Sequence, residues 1–145
     1  MKEKLDSNDL YLVNFARDLL LKSPDRNKFN VAAAVRSADG EMFGAYNSFK
    51  GYWSGSVCAE VGCLAVATSS VAPKRFEAVL FAAVKFDADQ ESLRVANTCG
   101  RCLQWIVDYF PDADCIIAEK DGSLAVASAR DLLPYGYNDS RGIIE

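Results

Sequence analysis

The chain contains no histidine. That absence removes Ser-His and Cys-His nucleophile pairs, HExxH zinc sites and every mechanism that depends on an imidazole base. No apolar stretch approaches the roughly 18 residues that a membrane span needs, so a membrane is not expected as a partner. There is no run of Lys or Arg either, and the net charge is -4. Without such a run the chain has no sequence-independent grip on phosphate backbones, which argues against polymeric nucleic acid as a partner. The opening residues MKEKLDSND are too polar for a secretory signal, so the expected location is the cytoplasm.

What is present is an ordinary globular composition, half apolar and a quarter charged, over 145 residues. That length fits one domain, 1-145, with a core large enough to need no staples. Five cysteines, an odd number, favour metal binding or burial over a disulfide framework.

Residues 7 to 22 repeat apolar side chains at Leu12, Phe15 and Leu19 behind Ser and Asp cap candidates, the period of an amphipathic helix. FNVAAAVRS and EMFGAYNS flank Ala-Asp-Gly and read as a hairpin. A helix is expected over about 59 to 70, a doubly buried strand in FEAVLFAAVKF, and a second helix over about 100 to 110. DCIIAE and SLAVAS give two more strands around Lys-Asp-Gly, and ARDLLP a short last helix. The order αββαβαββα implies one mixed α/β sheet of five strands with helices on its faces.

SVCAEVGCLAVA, residues 56 to 67, places a carboxylate, Glu60, in a run of small and apolar residues. Burying it unpaired would cost several kcal/mol, so something compensates it or uses it. Cys58 opens the same helix, and Cys99 with Cys102, in TCGRC, open another. Cys-x-x-Cys alone leaves metal, redox and core roles open. With Cys58 it offers three thiolates and an open fourth position, the arrangement of a catalytic zinc. Glu60, two residues past a ligand at a helix start, can then face that position as a proton carrier. Cys63 and Cys115 lie in apolar segments and read as core.

Cys-Ala-Glu followed some forty residues later by Cys-Gly-x-Cys-x-Gln resembles the cytidine deaminase family, in its three-cysteine branch. FNVAAAV resembles the family's hairpin strand and DLLPYGY its terminal motif. The Cys-Gly-Arg-Cys, the later Asp-Gly hairpin and the Leu-Leu-Pro-x-Gly-Tyr ending resemble the blasticidin S deaminase subfamily most. The resemblance implies a three-layer α/β/α sandwich with a mixed five-stranded sheet, a Zn2+ cofactor, a small-molecule cytosine derivative as substrate, and a homotetramer with shared active sites. It also implies hydrolytic replacement of the C4 amino group, with Glu60 moving the protons.

Substrate contacts are implied at Phe29, Asn47, Ala59 and Tyr137. From the residues alone, Phe29 is either hairpin core or pocket wall, Asn47 either turn or substrate contact, and Tyr137 either docked core or an aromatic lid. Tyr52 and Trp53 serve either interface packing or substrate stacking, and Arg94 is either a solvated charge or a ligand contact. The chain departs from the family at Val61, Thr98 and Leu103, which stand at Arg, Pro and Arg positions, and at Phe49, which replaces a sugar-binding Glu. Both thiolate-neutralising arginines are therefore missing. Three thiolates on Zn2+ leave a charge of -1, to be offset by the two helix starts and by Arg101.

Overall fold

The computed structural model describes residues 2–137, apart from the side chains of Lys2 and Trp53. Its elements run β1 (Lys2–Lys4), α1 (Ser7–Leu21), β2 (Val31–Ser37), β3 (Met42–Tyr46), a 3-10 turn (Trp53–Gly55), α2 (Ala59–Val71), β4 (Ala78–Phe86), β5 (Leu93–Val95), α3 (Gly100–Tyr109), β6 (Asp114–Ala118), β7 (Leu124–Ser128) and α4 (Ala129–Leu132). The strands form one sheet in the order β1-β7-β6-β4-β2-β3, with β5 also on β4. Every strand pair is antiparallel except β4 with β6.

The sheet has seven strands, not five, because β1 and β5 join it. Each is three residues long, too short to show an alternation that a sequence could reveal. β2 begins at Val31, two residues later than expected, and Phe29 belongs to the turn before it, with its N–H on the Asp25 carbonyl. The cap of α1 is Asp6, one residue before the expected candidates. Its carboxylate accepts from Asp9 N–H at 2.8 Å while Asp9 returns the bond to Asp6 N–H at 3.2 Å, a reciprocal cap.

Strand alternation sorts the core into two layers. Ala32 and Ala34 face Leu12, Ala16 and Leu20 of α1 on one side of the sheet. Ala33 and Val35 face Cys63, Leu64 and Ala67 of α2, together with Leu103 and Ile106 of α3, on the other. The result is the three-layer sandwich. Small residues let the layers close: a β-carbon on Gly44 would lie 2.8 Å from Phe15 and 2.9 Å from Leu19, so α1 sits directly on β3. β4 is buried along most of its length, as its continuous apolar run requires.

Candidate metal and proton-transfer site

Cys58 and Cys99 are the N-caps of α2 and α3, each in extended backbone conformation and neither using its sulfur as a cap. Their carbonyls accept the first helical bonds, from Gly62 N–H at 3.1 Å and Leu103 N–H at 2.9 Å. Their side chains are thereby left at the positive ends of two helices, where a thiolate is favoured. Cys102, in the first turn of α3, completes a group of three sulfurs that all lie within 4.8 Å of one another. Tetrahedral zinc at about 2.3 Å per bond asks for sulfurs about 3.8 Å apart, a spacing compatible with this group. All five cysteines are free thiols. The donor set, three soft sulfurs with one side open through the exposed Cys99, fits zinc.

Glu60 is 7 % exposed, and its Oε2 accepts a hydrogen bond from the Cys102 thiol at 3.5 Å. Burial raises its carboxyl above the usual range, opposed by hydrogen bonds from its own backbone and from Cys102. Burial likewise raises the Cys58 and Cys102 thiols, with the Glu60 charge adding to the shift at Cys102. A bound cation reverses that balance and deprotonates its thiols outright.

Cys63 and Cys115 stand outside the group. Cys63 donates to the Phe43 carbonyl at 3.2 Å, and burial pushes both thiols up to about 12. Arg101 reaches the Ser56 carbonyl at 3.5 Å, which sets its charge beside both ligand-bearing segments.

Two side-chain amides brace the approach to these residues, and neither brace is visible in the sequence. Asn97 exchanges two bonds with the main chain of Ala118, at 3.1 and 2.7 Å, and so ties the segment before Cys99 to the end of β6. Gln104 does the same for Tyr137, accepting from its N–H at 2.7 Å and donating to its carbonyl at 2.9 Å. A β-carbon on Gly136 would lie 3.0 Å from that Gln104 oxygen, so this close approach suits glycine.

The remaining expected residues divide by distance from this centre. Ala59 is buried at the start of α2, between Cys58 and Glu60. Asn47 ends the β2–β3 ladder, and the Ser48–Val57 bridge brings it beside Cys58. Phe29 is half-buried, its ring centroid 6.0 Å from that of Tyr46. Tyr137 is 72 % exposed, and its main chain is docked on the Gln104 amide. Phe49 and Tyr52 are also exposed, in a loop braced by the Ser56 hydroxyl. Arg94 pairs with Asp87 at 2.6 Å on the surface.

No protein-family profile matches the chain. It is 31% identical over 134 residues to a blasticidin-S deaminase of Bacillus cereus, covering 92% of this chain and 94% of that protein. Among solved structures it is similar to a cytidine deaminase from Burkholderia pseudomallei, with a TM-score of 0.66 and 26% identity over 88% of this chain and 98% of that one. A cytidine deaminase from Bacillus anthracis shares the fold at a TM-score of 0.72 and 19% identity, over 89% of each chain. A sandwich that opens two helices on three cysteines, joined to likeness along nearly its full length, identifies the chain: it belongs to the cytidine deaminase family, among the blasticidin-S deaminase-like members.

Proposed function

We propose that the protein is a zinc-dependent aminohydrolase that exchanges the C4 amino group of a cytosine nucleoside, plain or modified, for a carbonyl. The observation that carries this reading is the buried Glu60 carboxyl, set against a three-thiol group at two helix starts. In this reading Cys58, Cys99 and Cys102 hold the zinc. When bound, zinc supplies Lewis acidity that brings the pKa of a water ligand to about 7.

The chain's own residues do the rest. Glu60 takes the proton of the attacking water and gives it to ring N3, and a second transfer through Glu60 converts the amino group into ammonia. The bond formed is C4–O and the bond broken is C4–N, and Glu60 ends as it began. The low-dielectric setting that raises its pKa suits a group that must accept and release protons. Ala59 and Phe29 form the near wall for the base, Asn47 meets the sugar, and Tyr137 serves as the aromatic cover.

A narrower reading, a deaminase of a blasticidin S-type antibiotic, draws support from Phe49, which leaves no carboxylate for a ribose hydroxyl, and from the Bacillus cereus relative. A third reading keeps zinc as structure in a silent binding module. One experiment separates them: zinc content and loss of the aminopyrimidine absorbance, measured on the same sample with cytidine, deoxycytidine and blasticidin S. Zinc without any turnover would leave only the silent module.

The same proposal includes a homotetramer in the cytoplasm. α2 carries Ala, Val, Gly and Leu on all sides, the pattern of a helix meant to be covered, yet Val66 is 44 % exposed. On another face of α2, Val61, Leu64 and Ala65 line an apolar groove of about 320 Å3 against α3, rimmed by Trp105 and Tyr109, which stack at 5.3 Å. Another copy of the chain is the proposed cover. Five free thiols agree with a reducing compartment. Among the described residues no helix is long and apolar enough to cross a membrane.

A further inference from the structure

The carboxamide of Asn47 is held at both ends. Its Oδ1 accepts from Val31 N–H at 3.0 Å, and its Nδ2 donates to Asn30 Oδ1 at 2.7 Å. A backbone N–H can only donate, so the oxygen must face Val31 and the nitrogen must face Asn30. The orientation of the amide thus follows from its partners and is not an arbitrary assignment.

In a regular antiparallel pair the Val31 N–H would go to the Asn47 main-chain carbonyl, since Asn47 N–H already donates to Val31 O at 3.0 Å. The side-chain oxygen takes that place and lets the chain leave the sheet. One residue later, Ser48 pairs with Val57 and delivers this exit next to Cys58. Asn30 is itself anchored, its carbonyl accepting from Phe86 N–H at 3.1 Å at the end of β4. Of the two donors and two lone pairs of the Asn47 amide, one donor and one lone pair are left over.

We infer that Asn30 is a positioning residue for substrate. By holding the Asn47 nitrogen it fixes the direction of the remaining N–H, which is offered to an acceptor oxygen on the sugar-like part of the ligand. Asn30 touches no reacting atom. The inference rests on the deaminase reading and adds to it the residue that orients the sugar contact. It matters more here because Phe49 supplies no polar side chain two residues further on.

The test compares wild type, Asn30→Ala and Asn30→Asp in zinc-loaded protein, with cytidine and with 2′,3′-dideoxycytidine, which lacks both ring hydroxyls of the sugar. Asn30→Ala is expected to raise KM for cytidine about three- to ten-fold, the worth of one oriented hydrogen bond, with kcat within about two-fold. The dideoxy compound should show no change. Asn30→Asp keeps an acceptor against the Asn47 nitrogen and should restore the KM. In 15N-labelled protein, the Asn47 side-chain amide protons should exchange slowly in wild type and Asn30→Asp and faster in Asn30→Ala.

Faster exchange with an unchanged KM, or the same KM increase for both nucleosides, would overturn the assignment and leave Asn30 as a structural brace. Wild-type inactivity towards both nucleosides would overturn it too. Turnover of blasticidin S by that same wild-type sample then decides whether the deaminase reading itself survives.

Discussion

Cys102 Sγ and Glu60 Oε2 lie 3.5 Å apart although they belong to different helices, α3 and α2. The contact makes the carboxyl a neighbour of the thiol group rather than one of its members. Glu60→Gln is therefore expected to keep the fold and about one zinc per chain while losing turnover. An amide can hold a water but cannot take its proton, and a general acid–base step is worth about 10² to 10⁴-fold. Retention of most of kcat would make Glu60 a structural residue.

Thiol chemistry should divide the five cysteines in two. Cys63→Ala and Cys115→Ala should each retain about one zinc per chain, whereas Ala at Cys58, Cys99 or Cys102 should lose it. In metal-free native protein, Cys99 is exposed and should react with a thiol reagent first, and zinc should block it. Cys63 and Cys115, with thiols pushed up to about 12 by burial, should stay silent at pH 8 until the chain unfolds. Loss of zinc from Cys63→Ala or Cys115→Ala would sink the ligand assignment.

Specificity should reflect the missing carboxylate at position 49. A sugar hydroxyl left without a buried partner costs about 1 to 3 kcal/mol, roughly five-fold to 150-fold in kcat/KM. Cytidine should thus be a poor or moderate substrate, and N4-acyl-cytidine or blasticidin S should compete well through contact with Phe49 and Tyr52. Phe49→Glu should raise kcat/KM for cytidine. The idea is wrong if cytidine leads by ten-fold or more and that substitution brings no further gain.

Association should depend on the outer face of α2. Val66→Glu puts a charge on a surface proposed to be covered, and light scattering should then report a smaller species than wild type at equal concentration. Wild type that is already monomeric at micromolar concentration would remove the tetramer from the proposal.

The sequence displays the thiol group clearly because its signal is local: Cys-x-x-Cys on one helix start and Cys-x-Glu on another need only correct element types to converge. The helical period of α1 was legible from Leu12, Phe15 and Leu19, but the residues fully buried are Leu12, Ala16 and Leu20, and the uniformly apolar Ala32 to Val35 hid which residue faces which layer. The strands of three residues were not legible, because pairing with β7 and β4 defines them, and their composition does not. Asn30, Asn97 and the Gln104 clamp were hidden for a related reason. An amide that completes a strand end depends on which main chain folds up beside it, a tertiary fact.

β1 gives the sheet an edge made of Lys-Glu-Lys, three charged residues paired with Ala125 to Ala127 of β7. An unguarded edge is a template on which further chains add strand by strand. Here any incoming strand would find only a three-residue partner of sequence Lys-Glu-Lys, a very short pairing length. Growth by strand addition from this side is therefore disfavoured. A three-residue strand thus guards one of the two ends of the sheet, the one opposite β3.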